Sequence, residues 1–500
     1  MSTRTPARVD LGDWVARRAR THADVIALEC SGEALTYAQL DHRVEGAAGV
    51  LRRLGVSGEP VGVLMGNSVR FAILAHAIPR AGGLLMPLNA RLAPGETAWQ
   101  LRDARTRYVV HDGEHEGTAR EAAQEAGVEA LDFGQSFAGE AAAGGDPGAT
   151  IEPDRAHSVI YTSGTTGRPK GAILTHGNFY WSAVASAANI GVEAGDRWLA
   201  CMPLFHVGGL SILLRSAIYG TTAVIHERFD EARAVRALRE ERITLASLVA
   251  TMLQRMFDLD AEPYPSSIRA VLLGGGPAPR TLLEDARGRG LPVLQTYGLT
   301  ETASQVATLA PTDALRKLGS AGLPLLSSSV RVEVDGRVAE PGEVGEIVVA
   351  GPTVCAGYLH RHDATAEAIR DGWLHTGDLG SLDEEGYLYV ADRRDDLIVT
   401  GGENVYPAEV EAALAEHPDV DECAVIGLPD KRWGTRVVAV AVPQAATEGA
   451  SLAETLEAHL RERLAGYKVP RHIELWQEPL PRTASGKLQR HLVRERLLGS

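Results

Sequence analysis

The strongest constraint on the fold is a repeated alternation: short apolar runs of strand length, each followed by a longer stretch whose apolar residues recur at helical spacing. Strand-like runs fall at residues 61–64, near 83–86 and at 108–110, with helices expected from Val69 and from Pro94. The pattern resumes at 198–201, 222–225, 245–248 and 270–273. Parallel strands cannot be joined by a tight turn and need a crossover, usually a helix, so this order predicts an α/β fold built on mainly parallel sheets. Ahead of it, Thr36 and Gln39 have capping-box spacing. Leu40, Val44, Ala47, Leu51 and Leu54 follow on one helical face, which predicts an amphipathic helix through the forties and early fifties.

The texture changes after Leu318. Residues 330–334 alternate, Asp335-Gly336 is a type I′ turn signal, and 345–350 is another strand, so an antiparallel β-rich lobe is expected over about 320–390. Beyond the charged run Asp392-Arg393-Arg394-Asp395-Asp396 a fresh α+β pattern begins, with a helix from Pro407, strands at 422–426 and 437–442 and a helix from Leu452. A chain of 500 residues is longer than one hydrophobic core serves, so a separate C-terminal domain fits. Residues 134–150, rich in Gly, Ala and Glu, read as a surface loop or short linker.

Composition narrows the partners. With 45% hydrophobic and 23% charged residues the chain reads as an ordinary soluble protein, and a formal charge of -15 repels polyanions, so nucleic acid is not an expected partner. The four cysteines, Cys30, Cys201, Cys355 and Cys423, lie far apart without C-x-x-C spacing, which argues against a zinc knot or a disulfide framework and fits a cytoplasmic location. Neither a signal peptide nor a membrane span is expected, because the N-terminal charges have no apolar stretch behind them and the run 71–79 is short and broken by Arg80.

Directly after strand-like residues 158–161 stands Thr162-Ser163-Gly164-Thr165-Thr166-Gly167-Arg168-Pro169-Lys170-Gly171. Glycines let backbone N–H groups converge on an anion, hydroxyls add donors and Lys170 adds charge, a combination suited to a polyphosphate. Pro169 separates Gly167 from Lys170, so the spacing is not that of the P-loop; nor is Gly274-Gly275-Gly276 a dinucleotide fingerprint, since Pro279 stands where the third glycine is required. Further on come Tyr297-Gly298-Leu299-Thr300-Glu301, Trp373-Leu374-His375-Thr376-Gly377-Asp378, the charged run at 392–396, and Pro481-Arg482-Thr483-Ala484-Ser485-Gly486-Lys487. Alone, each has a plain alternative: a strand-to-helix turn, a Gly-Asp turn, a solvated lysine. In this order they resemble the adenylate-forming enzymes, the family of acyl-CoA synthetases, amino-acid adenylation domains and luciferases.

That resemblance implies a large N-terminal ATP- and acyl-binding domain over 1–392, a hinge at 393–396, and a small mobile α+β domain over 397–500 that carries the catalytic lysine. It implies ATP and Mg²⁺, with coenzyme A as co-substrate. By the same resemblance Thr162, Ser163, Gly164, Thr165, Thr166, Gly167 and Lys170 hold the phosphates, Tyr297 packs on adenine, Thr300 meets the α-phosphate and Glu301 holds the metal. Asp378 accepts from the ribose hydroxyls, Arg393 meets ribose or phosphate, and Lys487 bridges the carboxylate and the α-phosphate. Asp395 is the implied hinge residue; the family more often has Gly before Arg393, where this chain has Asp392. Gly402, within Gly401-Gly402-Glu403-Asn404-Val405-Tyr406-Pro407, is implied to line the pantetheine tunnel, and Lys468 to meet the coenzyme's phosphates, with a solvated helix-end lysine as the plain alternative.

The acyl side is read from other segments: 203–211, 218–220, 272–279, 302–305 and 317–322. They resemble the branch of the family that ligates 2-succinylbenzoate to coenzyme A in menaquinone synthesis. His206, Gly275 and Ser304 are then implied to lie beside the acid, with 274–277 as a wall. Arg215 is the nearest cation for the second carboxylate, although a helix arginine is by default solvated. Another aryl- or fatty acyl-CoA ligase would share every ATP motif. An amino-acid adenylation domain is disfavoured because no carrier domain follows before Ser500, and a non-catalytic nucleotide sensor because Glu301 and Lys487 are both present. The oligomeric state stays open, a homodimer included.

Overall fold

The computed structural model describes residues 10–137, 150–162, 169–275, 278–393, 397–444, 449–481 and 488–499. Thr36 accepts the Gln39 N–H and Gln39 accepts the Thr36 N–H in return, closing the capping box that starts the helix Tyr37–Leu54. Its apolar face joins the helices Val69–Arg80 and Val207–Tyr219 in one core, where Leu40, Val44, Phe71, Leu74 and Leu213 pack against strands of two different sheets.

One sheet carries the expected parallel run. Ile26–Cys30, Thr222–Ile225, Arg197–Ala200, Leu245–Val249, Ala270–Gly274 and Val293–Leu299 are parallel neighbours in that order. The sheet then turns antiparallel through Ser304–Thr308 and Ser320–Pro324 into Leu388–Arg393, Trp373–Leu382, Gly345–Ala350 and Ser329–Val334. The β-rich stretch is therefore an extension of the large sheet. Asp335 and Gly336, at φ 48° and 79°, close its hairpin to Arg337–Val338.

The second sheet runs Gly357–Tyr358, Lys170–Thr175, Ala156–Thr162, Leu84–Pro87, Pro60–Leu64, Tyr108–His111, Glu129–Asp132. Its last five strands are parallel, as the alternation predicts. Ala156–Thr162 and Lys170–Thr175 instead pair antiparallel, which the alternation does not predict.

The strand Leu388–Arg393 ends where the domain link is expected; residues 394–396, Asp395 among them, lie outside the described residues. Next come a ribbon of Ile398–Thr400 with Glu403–Val405, the helix Pro407–Ala415, and a sheet of Val420–Asp430, Gly434–Pro443 and His472–Leu475 flanked by Gly449–Arg461 and Arg490–Gly499. Two apolar clusters, one around Val410, Leu414 and Leu456, the other around Ile426, Val440 and Val493, draw all their buried members from this part, so it has a core of its own. Of the expected linker at 134–150, Phe133–Ser136 is helical and 138–149 lie outside the described residues. The four cysteines are free, and among the described residues no helix is long and apolar enough to cross a membrane.

The large sheet closes tightly on itself at Gly322. Its φ is 97°, and a Cβ there would lie 2.0 Å from the Thr308 carbonyl carbon of the adjacent strand. Gly322→Ala should therefore cost on the order of 3 kcal/mol. The expected readout is a lower urea midpoint with an unchanged slope; an unchanged midpoint would show that the strand yields freely.

Candidate active site

Thr162 ends the strand Ala156–Thr162 and stands in register with Lys170, the first residue of its antiparallel partner. The phosphate-loop candidates thus leave and rejoin a single hairpin, although Ser163, Gly164, Thr165, Thr166 and Gly167 lie outside the described residues. Thr300 and Glu301 occupy the short turn Thr300–Thr302 that follows Val293–Leu299. That turn is held hard: a Cβ on Gly298 would sit 1.5 Å from the Ser304 carbonyl oxygen, and Ala303 and Ser304 adopt φ 51° and 97°. Side-chain-bearing residues take such angles where the surroundings impose them.

The turn brings Glu301 against the phosphate hairpin. The Thr162 hydroxyl donates to Glu301 Oε1 at 3.3 Å and the Tyr358 hydroxyl donates to the same oxygen at 3.0 Å. Lys170 Nζ lies 5.4 Å from the centre of the Tyr358 ring. Among the described residues no group of three or more His, Cys, Asp or Glu could cage a metal by itself. One carboxylate beside the hairpin that carries Thr162 and Lys170 fits Mg²⁺, which takes few protein ligands and completes its shell with water and phosphate oxygens. Across the cavity the Tyr297 hydroxyl donates to Asp378 Oδ2 at 2.8 Å, both residues being buried. Asp378 stands in register with Arg393, whose side chain lies outside the described residues, as does Lys487.

On the acyl side His206 precedes the helix Val207–Tyr219, and its Nε2 lies 3.1 Å from Glu403 Oε2 in the C-terminal part. A Cβ at Gly275 would lie 3.1 Å from Val249, and one at Gly402 would lie 3.7 Å from the same side chain, so the wall candidate and the C-terminal ribbon meet there. Gly276 and Pro277 lie outside the described residues.

Arg215 departs from the default for a helix arginine. It is 3% exposed, because the whole stretch from Gly209 to Ala217 is buried on every side. One guanidinium nitrogen donates to Ser182 Oγ at 3.0 Å, and Ser182 Oγ donates to the Ala303 carbonyl at 2.7 Å. Nε has no partner, no carboxylate pairs with the group among the described residues, and burial pulls its pKa below the ordinary value. A buried cation without a counter-charge is costly; what faces this one is the Trp198 ring, 5.8 Å from the guanidinium carbon.

Lys468 is not the solvated helix-end lysine of the plain alternative. It is 3% exposed, and Nζ donates to Glu96 Oε1 at 2.6 Å and to Glu409 Oε1 at 2.7 Å. Glu96 lies in the helix Pro94–Asp103, and its other oxygen accepts the N–H groups of Ala93 at 2.9 Å and Ala465 at 2.7 Å. Arg91 pairs with Glu403 at 2.5 Å, and Asn89 donates to the Tyr467 hydroxyl at 3.2 Å. Residues 89–96 thus form a seat for the C-terminal part. Burial alone would push the Glu403 carboxyl up, but the hydrogen bond and charge of His206, with the charges of Arg91 and Lys468, outweigh it and hold the pKa below the ordinary value. At Glu409 burial wins over Lys468 and the pKa rises.

A cavity of about 370 Å³ opens between the two parts. It is lined by Thr162, Lys170, Thr300, Glu301 and Asp378 from the ATP motifs, by His206, and by Glu403, Tyr467 and Lys468 from the C-terminal part. Tyr297, Gly275, Ser304 and Gly402 are not among the lining residues. Sequence reasoning missed Tyr358, the pairing partners Arg91 and Glu96, and the ionic role of Glu403; only Glu403 stood within a segment singled out by motif.

Residues 15–359 match the AMP-binding enzyme family and residues 409–487 match the AMP-binding enzyme C-terminal domain. The chain is 44% identical to a 2-succinylbenzoate–CoA ligase of Geobacillus sp. (strain WCH70), over 98% of each chain. It is 43% identical to another of Bacillus licheniformis, over 97% of this chain and 99% of that one. Its structure is similar to that of o-succinylbenzoate CoA synthetase (MenE) from Bacillus subtilis, in a double mutant bound with its product analogue OSB-NCoA: TM-score 0.92, 40% identity, 98% of this chain and 99% of that one. Against that synthetase in complex with the acyl-adenylate intermediate OSB-AMP the TM-score is 0.75, at 40% identity over 97% of this chain and 98% of that one. Over the whole chain the structure is therefore more similar to the product-analogue complex than to the acyl-adenylate complex.

Replacing Lys468 tests the seat directly. Lys468→Ala leaves two carboxylates buried without their cation, a loss of about 3–5 kcal/mol in this arrangement. The variant should separate the two parts, seen as a larger radius of gyration by small-angle scattering. Scattering identical to that of the parent would show that the seat does not hold them.

Proposed function

Because the chain belongs to the AMP-binding enzyme family, we propose that it ligates 2-succinylbenzoate to coenzyme A, converting ATP to AMP and pyrophosphate through an acyl adenylate. The observation that carries this reading is the 44% identity to a ligase of that name over 98% of each chain, an alignment that takes in the acyl-side segments together with the ATP motifs.

In the first half-reaction the carboxylate of the acid attacks the α-phosphorus and pyrophosphate leaves. No general base is needed, since the carboxylate is already ionised at neutral pH. Both reactants are anions, so the site must supply positive charge where negative charge gathers. Lys170 and the loop between it and Thr162 take the departing pyrophosphate, Thr300 the α-phosphate, and Lys487 the bridge between carboxylate and phosphorus. Asp378, oriented by the Tyr297 hydroxyl, receives the ribose, with Arg393 beside it on the neighbouring strand. Magnesium held at Glu301 would add charge stabilisation to the phosphate oxygens.

In the second half-reaction a turn of the chain at Asp395 withdraws Lys487 and seats the C-terminal part on residues 89–96, with Gly402 at the entrance for pantetheine. The thiolate then attacks the acyl carbon and AMP leaves. His206, Gly275 and Ser304 face the acid. Arg215 serves its second carboxylate, supported by the absence of any other counter-charge around that guanidinium among the described residues. The four free cysteines support a reducing, cytoplasmic setting, and the charge of -15 supports small-molecule partners over nucleic acid.

The acid is tested by comparing 2-succinylbenzoate with 4-oxo-4-phenylbutyrate, which lacks only the ring carboxylate. The first should win in kcat/KM by roughly 10² or more, because a site built for a buried anion is left unpaired by the second. Arg215→Met, which removes the charge at similar length, should erase most of that ratio. If octanoate or a cinnamate reacts better than 2-succinylbenzoate, the acid assignment falls while the ATP-site residues stand.

Lys487→Ala should lower pyrophosphate exchange by roughly 10² or more and still convert a supplied acyl adenylate to thioester. Exchange close to the parent rate would remove Lys487 from the mechanism.

A further inference from the structure

The segment around Tyr358 is tied to both halves of the phosphate site. Its two-residue strand, Gly357–Tyr358, pairs with the strand that begins at Lys170, placing Tyr358 in register with Ala172. The Ala356 N–H donates to the Ile173 carbonyl at 2.9 Å and the Leu359 N–H to the Gly171 carbonyl at 2.8 Å. On the other side the Cys355 N–H donates to the Glu301 carbonyl at 2.8 Å. The Tyr358 N–H is taken by Thr365 Oγ1 at 2.9 Å, so the backbone that carries the ring has no slack.

From this fixed base the side chain reaches two opposite charges. Its hydroxyl donates to Glu301 Oε1 at 3.0 Å, and its ring faces the Lys170 ammonium at 5.4 Å. Burial, then the charge of Glu301, pushes the phenol pKa far up, so the hydroxyl stays a donor throughout the working pH range. Glu301 Oε1 is occupied by the Thr162 and Tyr358 hydroxyls, whereas Oε2 accepts no hydrogen bond among the described residues.

We propose that Tyr358 is a positioning residue of the adenylation step, one side chain that sets the distance between the carboxylate presenting Oε2 to the magnesium of ATP and the ammonium meeting the departing pyrophosphate. The inference rests on the reading of Glu301 and Lys170 as ATP-site residues. Groups that orient a metal-ligating carboxylate in this way tune affinity for the ion by roughly 10- to 100-fold.

The test is Tyr358→Phe, which keeps the ring under Lys170 and removes only the donor to Glu301. Three quantities are measured on the full chain: Mn²⁺ affinity in the presence of a non-hydrolysable ATP analogue, by electron paramagnetic resonance; the Mg²⁺ concentration that half-saturates pyrophosphate release; and thioester formation from a supplied acyl adenylate. Mn²⁺ affinity should weaken about 10-fold. The Mg²⁺ requirement should rise in step, and thioester formation should be unchanged. In a Glu301→Gln background the same substitution should produce no further loss of Mn²⁺ affinity, because its effect passes through that carboxylate. Tyr358→Leu, which also removes the aromatic face, should in addition raise the KM for ATP. Parent-like Mn²⁺ affinity in Tyr358→Phe, an equal further loss in the Glu301→Gln background, or loss of thioester formation alongside would each overturn the proposal. Should the parent protein release no pyrophosphate with 2-succinylbenzoate, the acid assignment fails by itself, and the Mn²⁺ measurement still decides the role of Tyr358.

Discussion

The ammonium of Lys468, buried between the carboxylates of Glu96 and Glu409, fixes where the C-terminal part sits, and the rest of the cavity depends on it. With Lys468 seated, Glu403 meets His206 and Arg91, and Tyr467 comes within reach of Asn89. Ionic clusters of this kind give registry more than net stability, because the attraction inside must offset the lost hydration of every member. Here one cation faces two acids, and Glu409 Oε2 has no partner among the described residues. Such a seat is defined in position yet stays within reach of release.

Release matters for an enzyme that forms an adenylate and then consumes it in one cavity. Lys468, Glu96, Glu403 and Arg91 belong to one ionic cluster that joins the C-terminal part to residues 89–96.

The sequence was most legible where the determinants are local. The capping box at Thr36 and Gln39, the strands at Thr222–Ile225, Leu245–Val249 and Ala270–Gly274, and the Asp335-Gly336 hairpin each follow from patterns a few residues long. The antiparallel pairing of Ala156–Thr162 with Lys170–Thr175 was not, because the seven residues between them are too many for a tight hairpin turn and carry none of its signals. Lys468 and Glu96 stand 372 positions apart, and no local spacing records such a pair. Arg215 could have been placed by a closer reading of its neighbours: it is the only charged residue in a helix whose other members are apolar or small, a composition that belongs inside a large protein. Tyr358 belonged to no segment that chemistry picked out, since its role comes from contacts on both sides of the ring.

The hairpin that carries Thr300 and Glu301 also carries Ser304, and Gly298, Ala303 and Ser304 lock its two arms together. A shift of the backbone at Ser304 would pass directly to Gly298, and so to the arm that leads to Thr300 and Glu301: the two arms move as one piece.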